Sequence, residues 1–504
     1  MISSRTGSPF RTLLCLGILA ACSLLVHGYH PGAEDDAIYL AAVKKHLDPS
    51  LYPFHSGFFT QQTRFTLWDE FTAFCVRLSH LPVQWVILVL YLLSIFGVLA
   101  GCLAMSRRCF SEREAHWASV MTIFSLLTLP VAGTALQIAD FHLHPRSPAT
   151  ALILMALAQS LDRRFVQAAI LLALALAVHP LMAAFGAVLT ALLAWKGRGE
   201  GSPAVQAGSL AAIPPDAPDT PLWEVVRRNR RHHYVLQWTW YEWVGIVAPI
   251  GLLVVFSAFR PPGVLSSFAH LSRRTALFGT LFTLSALVLN FNGGLGRLGP
   301  LQPMRSLHLV YVVLFVLGGG LMGKAVLQRK AWRWFLFFLP LCLVMFLSQR
   351  SVFGGGDHVV FPWTSPSNPW VQAFEWVRLN TPPDAVFALN PRYMKLPGQD
   401  FHGFRALAER SALADAVKDP GVVAESFVAE SIRTQDAAPI PALAVEWRRQ
   451  TAALENWDTF EREDFLLLKE GFGVSWVVLE GGDPKGLDCR YRNAAVSVCR
   501  IPDP

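Results

Sequence analysis

Long apolar segments separated by short polar ones fill the first two thirds of the chain. A helix needs about 20 predominantly apolar residues to cross a bilayer, and the pattern predicts about nine such spans, one of them broken. The predicted spans are residues 13–26, 83–105, 117–136, 147–161, 165–195, 243–259, 276–291, 307–322 and 334–347. We therefore expect a mainly α fold, a polytopic membrane helical bundle over residues 1–348.

Residues 165–195 allow two interpretations, because they are too long for one upright span and short for two. His179 and Pro180 lie in the middle, where proline removes a backbone donor and breaks a helix. The segment is either one long broken span or a tight pair of short helices, and the two place everything downstream on opposite sides. We expect the broken span, because it places the basic loops near 260–274 and 324–333 in the cytoplasm, following the positive-inside rule.

The composition changes at residue 349, and residues 349–504 predict a soluble α/β domain. The expected elements are a helix ending at Asn380, strands at 385–389 and 474–479, a helical stretch at 442–468 and a hairpin at 489–499. Cys489 and Cys499 lie on the two arms of that hairpin, so a disulfide between them fits an oxidising exterior. The first apolar segment is interpreted as an uncleaved span rather than a signal peptide. This places the N-terminus in the cytoplasm and the C-terminal domain outside.

Composition supports a membrane protein and argues against several soluble classes. Of 504 residues, 53% are hydrophobic and 16% charged, and the mean hydropathy is +0.38, whereas soluble domains are about 25% charged. The net charge of +7 comes from short basic loops between apolar runs, so it does not indicate a nucleic-acid partner. No phosphate-binding glycine loop or Cys/His metal pattern is present. We expect no tightly bound cofactor, although neighbouring carboxylates could hold a divalent cation.

The acidic triplet Glu34, Asp35 and Asp36 follows the first span and precedes an amphipathic stretch, residues 37–47. This pattern predicts a short helix at the membrane surface with carboxylates at its positive end. The carboxylates could simply cap that helix. A carboxylate at the membrane surface can also act as a general base toward a hydroxyl group.

Further polar residues are expected on the same face of the membrane as the acidic triplet. They are Asp140, His142, His144, Arg146, His179, Arg227, Arg228, Arg230, Arg231, His232, Trp240, Glu242, Arg297 and Arg305. Guanidinium groups bind phosphate with two hydrogen bonds, so the arginines suit an anionic lipid headgroup. Taken singly, His179 is more typical of a packing histidine and Trp240 of an interfacial aromatic belt. Only the joint occurrence of acids and bases on one face favours catalysis.

This arrangement resembles the GT-C fold glycosyltransferases, which carry an acidic pair in the first outer loop, many spans and an outer soluble domain. The motif EDDAIY carries the first likeness. The segments HPRSPATA, RRNRRHHYVLQWTWYEWVGI and PWVQAFEWVRLNTPPDAVFALNP are similar to an uncharacterised bacterial branch of that group.

The resemblance implies transfer of a sugar from a polyprenyl-phosphate donor to a glycan or lipid acceptor, on the outer face of the bacterial inner membrane. It implies Asp35 or Asp36 as the general base, with Glu34 less favoured, and Asp140 as a second acidic position. It also implies that Arg146 and the cluster from Arg227 to His232 neutralise the donor phosphate. The alternative from another class is a non-catalytic membrane transporter or envelope-assembly scaffold.

Overall fold

The structure is a computed structural model that describes residues 8–195, 221–259, 261–291, 299, 301–434, 440–481 and 485–503. It is mainly helical, with a small sheet near the C-terminus. Six helical segments are long and apolar enough to cross a membrane: Pro9–His27, Val83–Cys109, Trp240–Ala258, Ser266–Phe291, Pro303–Leu327 and Ala331–Val352. The chain is thus a multi-pass membrane protein by helix length and composition, with fewer full-length spans among these residues than the nine predicted.

At one end of the molecule lie three short helices that belong to a larger bundle. The bundle is formed by the helices up to residue 352. They are α1 (Pro9–His27), α2 (Asp36–Leu47), α3 (Gly57–Thr63), α4 (Trp68–Ser79), α5 (Val83–Cys109), α6 (Arg113–Ser125), α7 (Arg146–Leu161), α8 (Phe165–Val178), α9 (Pro180–Ala194), α10 (Pro221–Arg228), α11 (Trp240–Ala258), α12 (Ser266–Phe291), α13 (Leu307–Met322) and α14 (Ala331–Val352). The centre consists of α5 against α7 and α6 against α13. We call the end that contains α2 the upper end, and the end at which α5 stops the lower end.

The helix predicted over residues 117–136 is shorter than expected. Helix α6 ends at Ser125, and the chain then folds into a buried loop that reaches α7. Pro130 and Gly133 interrupt the helical pattern there. The loop satisfies its own backbone, since Val131 N–H donates to Leu136 O at 2.8 Å and Ala139 N–H donates to Leu127 O at 2.6 Å. A buried loop is tolerated only when its backbone groups are paired in this way.

Residues 165–195 form the pair of short helices α8 and α9, so the prediction of a single broken span was wrong. Phe165 and Trp195 line one surface cavity at the lower end, and Arg274 Nη2 donates to Trp195 O at 2.6 Å. Both ends of the pair are therefore on the same side, and the turn points upward. His179 is extended, with φ −152°, and Pro180 occupies the first helical position, where a missing N–H costs nothing.

The C-terminal region, residues 353–503, contains a five-stranded sheet in the order β2-β1-β3-β5-β4. The strands are β1 (Val386–Leu389), β2 (Ser411–Ala412), β3 (Trp476–Glu480), β4 (Asp488–Arg492) and β5 (Val496–Arg500). The helices are α15 (Pro369–Asn380), α16 (Phe404–Ala408), α17 (Asp419–Thr434), α18 (Ala442–Ala453) and α19 (Arg462–Phe472). Strand β1 is parallel to β2 and β3, whereas β5 runs antiparallel to β3 and β4. A disulfide joins Cys489 to Cys499 across β4 and β5.

Helix α2 forms where the amphipathic pattern predicts it, but it does not lie on a surface. Its residues from Ile38 to Lys44 are all buried, because α3, α4 and α16 pack around it. Phe58 of α3 joins an apolar cluster with Val423 and Trp447 of the C-terminal region. We call residues 28–82, between α1 and α5, the first upper loop. The first upper loop and the C-terminal region therefore share one core.

Candidate functional site

The loop before α2 is held in place by backbone contacts with the C-terminal region. Gly32 has φ +77°, and a Cβ there would lie 2.8 Å from Leu407 Cδ2, so only glycine fits. Gly403 N–H donates to Gly32 O at 2.8 Å, and Glu34 N–H donates to Phe401 O at 3.0 Å. This loop fixes the direction in which each carboxylate of the acidic triplet points.

Asp36 points back into its own loop. Its Oδ2 accepts a hydrogen bond from Gly32 N–H at 2.6 Å, and the residue is 3% exposed. Burial raises the pKa of Asp36 to about 6, against the opposing effects of His142 and the Gly32 N–H. Asp36 thus stabilises the loop. A cavity opens beside Asp35, and Asp36 is not among the described residues that line it.

Asp35 occupies the N-cap position of α2 and is paired with a lysine from the C-terminal region. Lys418 Nζ donates to Asp35 Oδ1 at 2.9 Å and also contacts Glu34 Oε2. The second oxygen, Oδ2, lies 3.8 Å from His144 Nε2. Burial acts to raise the pKa of Asp35, but the charge of Lys418 and its hydrogen bond outweigh that effect and hold the pKa well below its usual range.

A cavity of about 300 Å³ opens beside Asp35 at the upper end of the bundle. We call it the Asp35 cavity. Its charged and imidazole side chains come from six separate parts of the chain: Asp35, His144, His179, Arg230, His233, Arg305 and Glu425. The turn between α8 and α9 brings His179 to this cavity, where its ring centroid lies 5.9 Å from that of His144.

The basic side of the Asp35 cavity consists of Arg230 and Arg305. Arg230 Nη2 donates to Lys418 O at 2.7 Å, whereas Nε of each arginine is buried without a hydrogen-bond partner in the described chain. Glu425 of α17 faces them. Burial raises its pKa to about 7, although Arg305 and Arg230 oppose the shift. Two guanidinium groups that line one cavity can bind an anion.

Asp140, Arg146 and His144 form a buried layer next to the cavity. Arg146 Nη2 donates to Asp140 Oδ1 at 2.6 Å, and the backbone N–H of Arg146 donates to His144 Nδ1 at 3.0 Å. The proton of neutral His144 is therefore on Nε2, which faces Asp35. Burial and the charge of Arg146 lower the pKa of His144 well below its usual range, so the ring is neutral at pH 7.

Several residues predicted for the site lie away from the cavity. Arg228 is exposed and paired with Glu224 of its own helix at 3.0 Å. Arg231 Nη2 bonds to Glu242 Oε2 at 2.5 Å, and Glu242 also caps α11. Trp240 is 78% exposed, as an interfacial aromatic would be.

The remaining predicted residues are two histidines, which the structure describes, and two arginines, whose side chains it does not describe. His142 is buried with neither ring nitrogen bonded within the described residues, and His232 is half-buried. The pKa of His232 is lowered to about 2, first by burial and then by Arg305 and Arg230. The side chain of Arg227 and the whole of Arg297 lie outside the described residues.

Sequence reasoning missed two site residues, Lys418 and Glu425. Both belong to the C-terminal region, and no motif or periodicity in the sequence marks them. Lys418 Nζ lies between the carboxylates of Glu34 and Asp35 and pairs with both of them.

No protein-family model matches the chain, and no curated protein matches it.

Proposed function

We propose that this protein is a membrane glycosyltransferase that moves a sugar from a polyprenyl-phosphate donor to a hydroxyl acceptor, with Asp35 as general base. One observation carries the proposal: a single cavity is lined by Asp35 and by Arg230 and Arg305, and Nε of each arginine has no hydrogen-bond partner among the described residues. A base and an anion site facing one another suit a displacement in which the leaving group is a phosphate.

The rim of the Asp35 cavity suits a lipid-linked donor. Phe65 and Leu301 line it and are 55% and 48% exposed, and Leu181 lines it at the start of α9. An exposed apolar rim beside membrane-spanning helices allows a prenyl chain to remain in the bilayer while its phosphate reaches the arginines. A water-soluble nucleotide sugar would not need such a rim.

The chemistry follows from the two oxygens of Asp35. Oδ1 is held by Lys418, whereas Oδ2 faces the 3.8 Å gap to His144 Nε2 and is the oxygen that an acceptor hydroxyl can reach. The hydroxyl proton passes to Oδ2 as the acceptor oxygen bonds to the sugar C1. The bond from C1 to the phosphate oxygen breaks, and the phosphate leaves with the electron pair toward Arg230 and Arg305.

The second candidate is the non-catalytic scaffold, and one contact favours it. Lys418 holds the pKa of Asp35 low, and a carboxylate with a low pKa is a weak general base. Under this alternative the Lys418 pair serves only to join the first upper loop to the C-terminal region.

The test combines lipid binding and sugar transfer in nanodiscs that contain the full-length protein. Arg305→Ala should weaken binding of undecaprenyl phosphate by roughly tenfold to a hundredfold, the value of a charge-assisted hydrogen bond of about 1.5–3 kcal/mol. Arg228→Ala is the matched control, since Arg228 is exposed and outside the cavity, and its affinity should equal that of the wild type.

Asp35→Asn separates the two candidates. It should keep lipid binding and reduce transfer from a panel of radiolabelled polyprenyl-phosphate sugars by at least about a hundredfold, the contribution of a general base. If wild type and Asp35→Asn transfer equally, or if wild type transfers none of the sugars while binding the lipid, the scaffold is the better description.

A further inference from the structure

A cluster of metal-binding side chains lies between α2 and α4, outside the Asp35 cavity. Among the described residues, one group of three His, Cys, Asp or Glu side chains brings its ligand atoms within 4.8 Å of one another, and it consists of His46, Asp69 and Glu70. His46 Nε2 lies 3.0 Å from Asp69 Oδ2 and 3.9 Å from Glu70 Oε1. Two adjacent carboxylates thus face the same imidazole.

These two separations lie on either side of the spacing expected for ligands around one small cation. Zinc binds imidazole nitrogen and carboxylate oxygen at about 2.0–2.2 Å, so a tetrahedral site separates its ligand atoms by about 3.4 Å. One imidazole and two carboxylates with a fourth position for water match zinc better than calcium, which takes six or more oxygen ligands.

A second observation at the same place points to a ligand. The side chain of Asp69 is 2% exposed, and its Oδ1 is buried with no hydrogen-bond partner in the described parts of the chain. A buried carboxylate normally has its oxygens bonded, because an unpaired one loses its hydration without compensation. A metal ion bound by this carboxylate would supply the missing positive charge.

The position of His46 is also fixed from outside the cluster. Arg77, one turn from the end of α4, donates through Nη2 to the backbone oxygen of His46. This contact holds the end of α2 against α4 and keeps the imidazole beside Asp69. A ligand that is already oriented loses less entropy when a metal binds.

We propose that His46, Asp69 and Glu70 bind a zinc-class divalent metal ion that ties α4 to α2. Phe71, Phe74 and Leu78 on the other face of α4 are exposed apolar residues, as in a helix lying at a membrane surface. Leu67 N–H, just before α4, donates to Ala177 O of α8 at 2.9 Å. The metal therefore connects α4 to the helix that begins at Asp36, the last residue of the acidic triplet.

The experiment uses the full-length protein in detergent, purified with a tag that contains no histidine. Wild type should contain or bind one equivalent of Zn²⁺, measured by elemental analysis and titration calorimetry, and Zn²⁺ should raise its melting temperature while Mg²⁺ should not. His46→Gln and Glu70→Gln should each weaken zinc binding by at least about tenfold, the loss expected on removing part of a metal site. Glu70 is 48% exposed, so this variant should fold even if a change at Asp69 does not.

His80→Asn is the matched control. His80 is an exposed histidine at the other end of α4 with φ +56°, a conformation that asparagine tolerates. The site is supported if zinc affinity is unchanged in His80→Asn and reduced in His46→Gln and Glu70→Gln. Equal zinc affinity in all variants, no zinc binding by wild type, or binding of Ca²⁺ in preference to Zn²⁺ overturns it.

Discussion

Three carboxylates near the Asp35 cavity have different pKa values because their surroundings differ. Asp35 is kept ionised by Lys418, Asp36 has a pKa raised to about 6 by burial, and Glu425 has a pKa raised to about 7 by burial. A site that holds one ionised and one protonated carboxylate can treat an anion differently as the pH changes. Of these three carboxylates, Glu425 has the pKa nearest to physiological pH.

Glu425 should make lipid-phosphate binding depend on pH. Its pKa in the folded protein is about 7, so the carboxyl is neutral at pH 6 and ionised at pH 8.5. The ionised form adds a negative charge beside Arg230 and Arg305 and opposes the phosphate. Affinity for undecaprenyl phosphate should therefore fall as the pH rises through 7, by roughly tenfold for a repulsion of about 1.4 kcal/mol.

Glu425→Gln isolates this contribution. The lipid phosphate itself titrates near pH 6, but that effect is common to both proteins. The ratio of the two affinities, measured at pH 6 and pH 8.5 in nanodiscs, should stay near one at the lower pH and favour Glu425→Gln at the higher. A constant ratio would mean that Glu425 does not change its charge in this range.

At the scale of elements, hydrophobic pattern located the helices but did not determine how they end. The helix α15 and the β4–β5 hairpin lie where the sequence predicted them, because local signals such as Asn380-Thr381-Pro382 mark their limits. The stretch predicted as helical over 442–468 forms two helices instead of one. Pro180 marked the break between α8 and α9, but period and length do not report that the chain turns back there or that α6 ends as early as Ser125.

Packing between helices also depends on the glycines of α13, which determine how closely α13 approaches α6. A Cβ on Gly319 would lie 2.9 Å from Thr122 Cβ and 3.0 Å from Ala118 O of α6. Small residues at such positions let two membrane helices approach closely. Thr122 cannot move aside easily, since its Oγ1 donates to Ala118 O at 2.8 Å.

Gly319→Ala should therefore destabilise the protein by roughly 1–3 kcal/mol, as expected for an overpacked core. Gly318→Ala is the control on the neighbouring position, where the nearest atom to a new Cβ is Phe256 Cε2 at 4.0 Å. Because alanine favours a helix over glycine by roughly 0.5–1 kcal/mol, this second variant should be neutral or slightly stabilised. Melting temperatures in detergent compare the two, and equal values would show that the α6–α13 contact is not tight.

At the scale of the whole molecule, the site was only partly predictable from the sequence. Asp35, Arg230 and Arg305 were all candidates, and the structure brings them to one cavity. The topology argument that placed Arg230 beside Asp35 used a single span over 165–195, which is incorrect. Glu425 reaches the cavity and Lys418 reaches Asp35 only because the C-terminal region packs against the first upper loop, a contact that no local pattern encodes.

The distribution of basic residues predicts which end of the molecule faces the cytoplasm. The short loops at the lower end carry Arg107, Arg108, Arg113, Arg163, Arg164, Arg273, Arg274, Lys324, Arg329, Lys330 and Arg333. Contacts such as Arg108 with Asp162 and Lys324 with Glu112 keep these loops together. By the positive-inside rule we expect a cytoplasmic lower end, and the Asp35 cavity would then face the outer side.

Cysteine labelling in cells tests this orientation. Glu455→Cys places a thiol on the exposed surface of the C-terminal region, and Lys330→Cys places one at the lower end. A membrane-impermeant maleimide should label Glu455→Cys in intact spheroplasts but reach Lys330→Cys only after the membrane is disrupted. Labelling of the unsubstituted chain, which has free cysteines of its own, gives the background to subtract. The reverse pattern would turn the Asp35 cavity toward the cytoplasm, and sugar transfer at the outer face would then have to be abandoned. Labelling of both thiols in intact cells would show that no membrane separates the two ends, and the bundle would not be membrane-spanning.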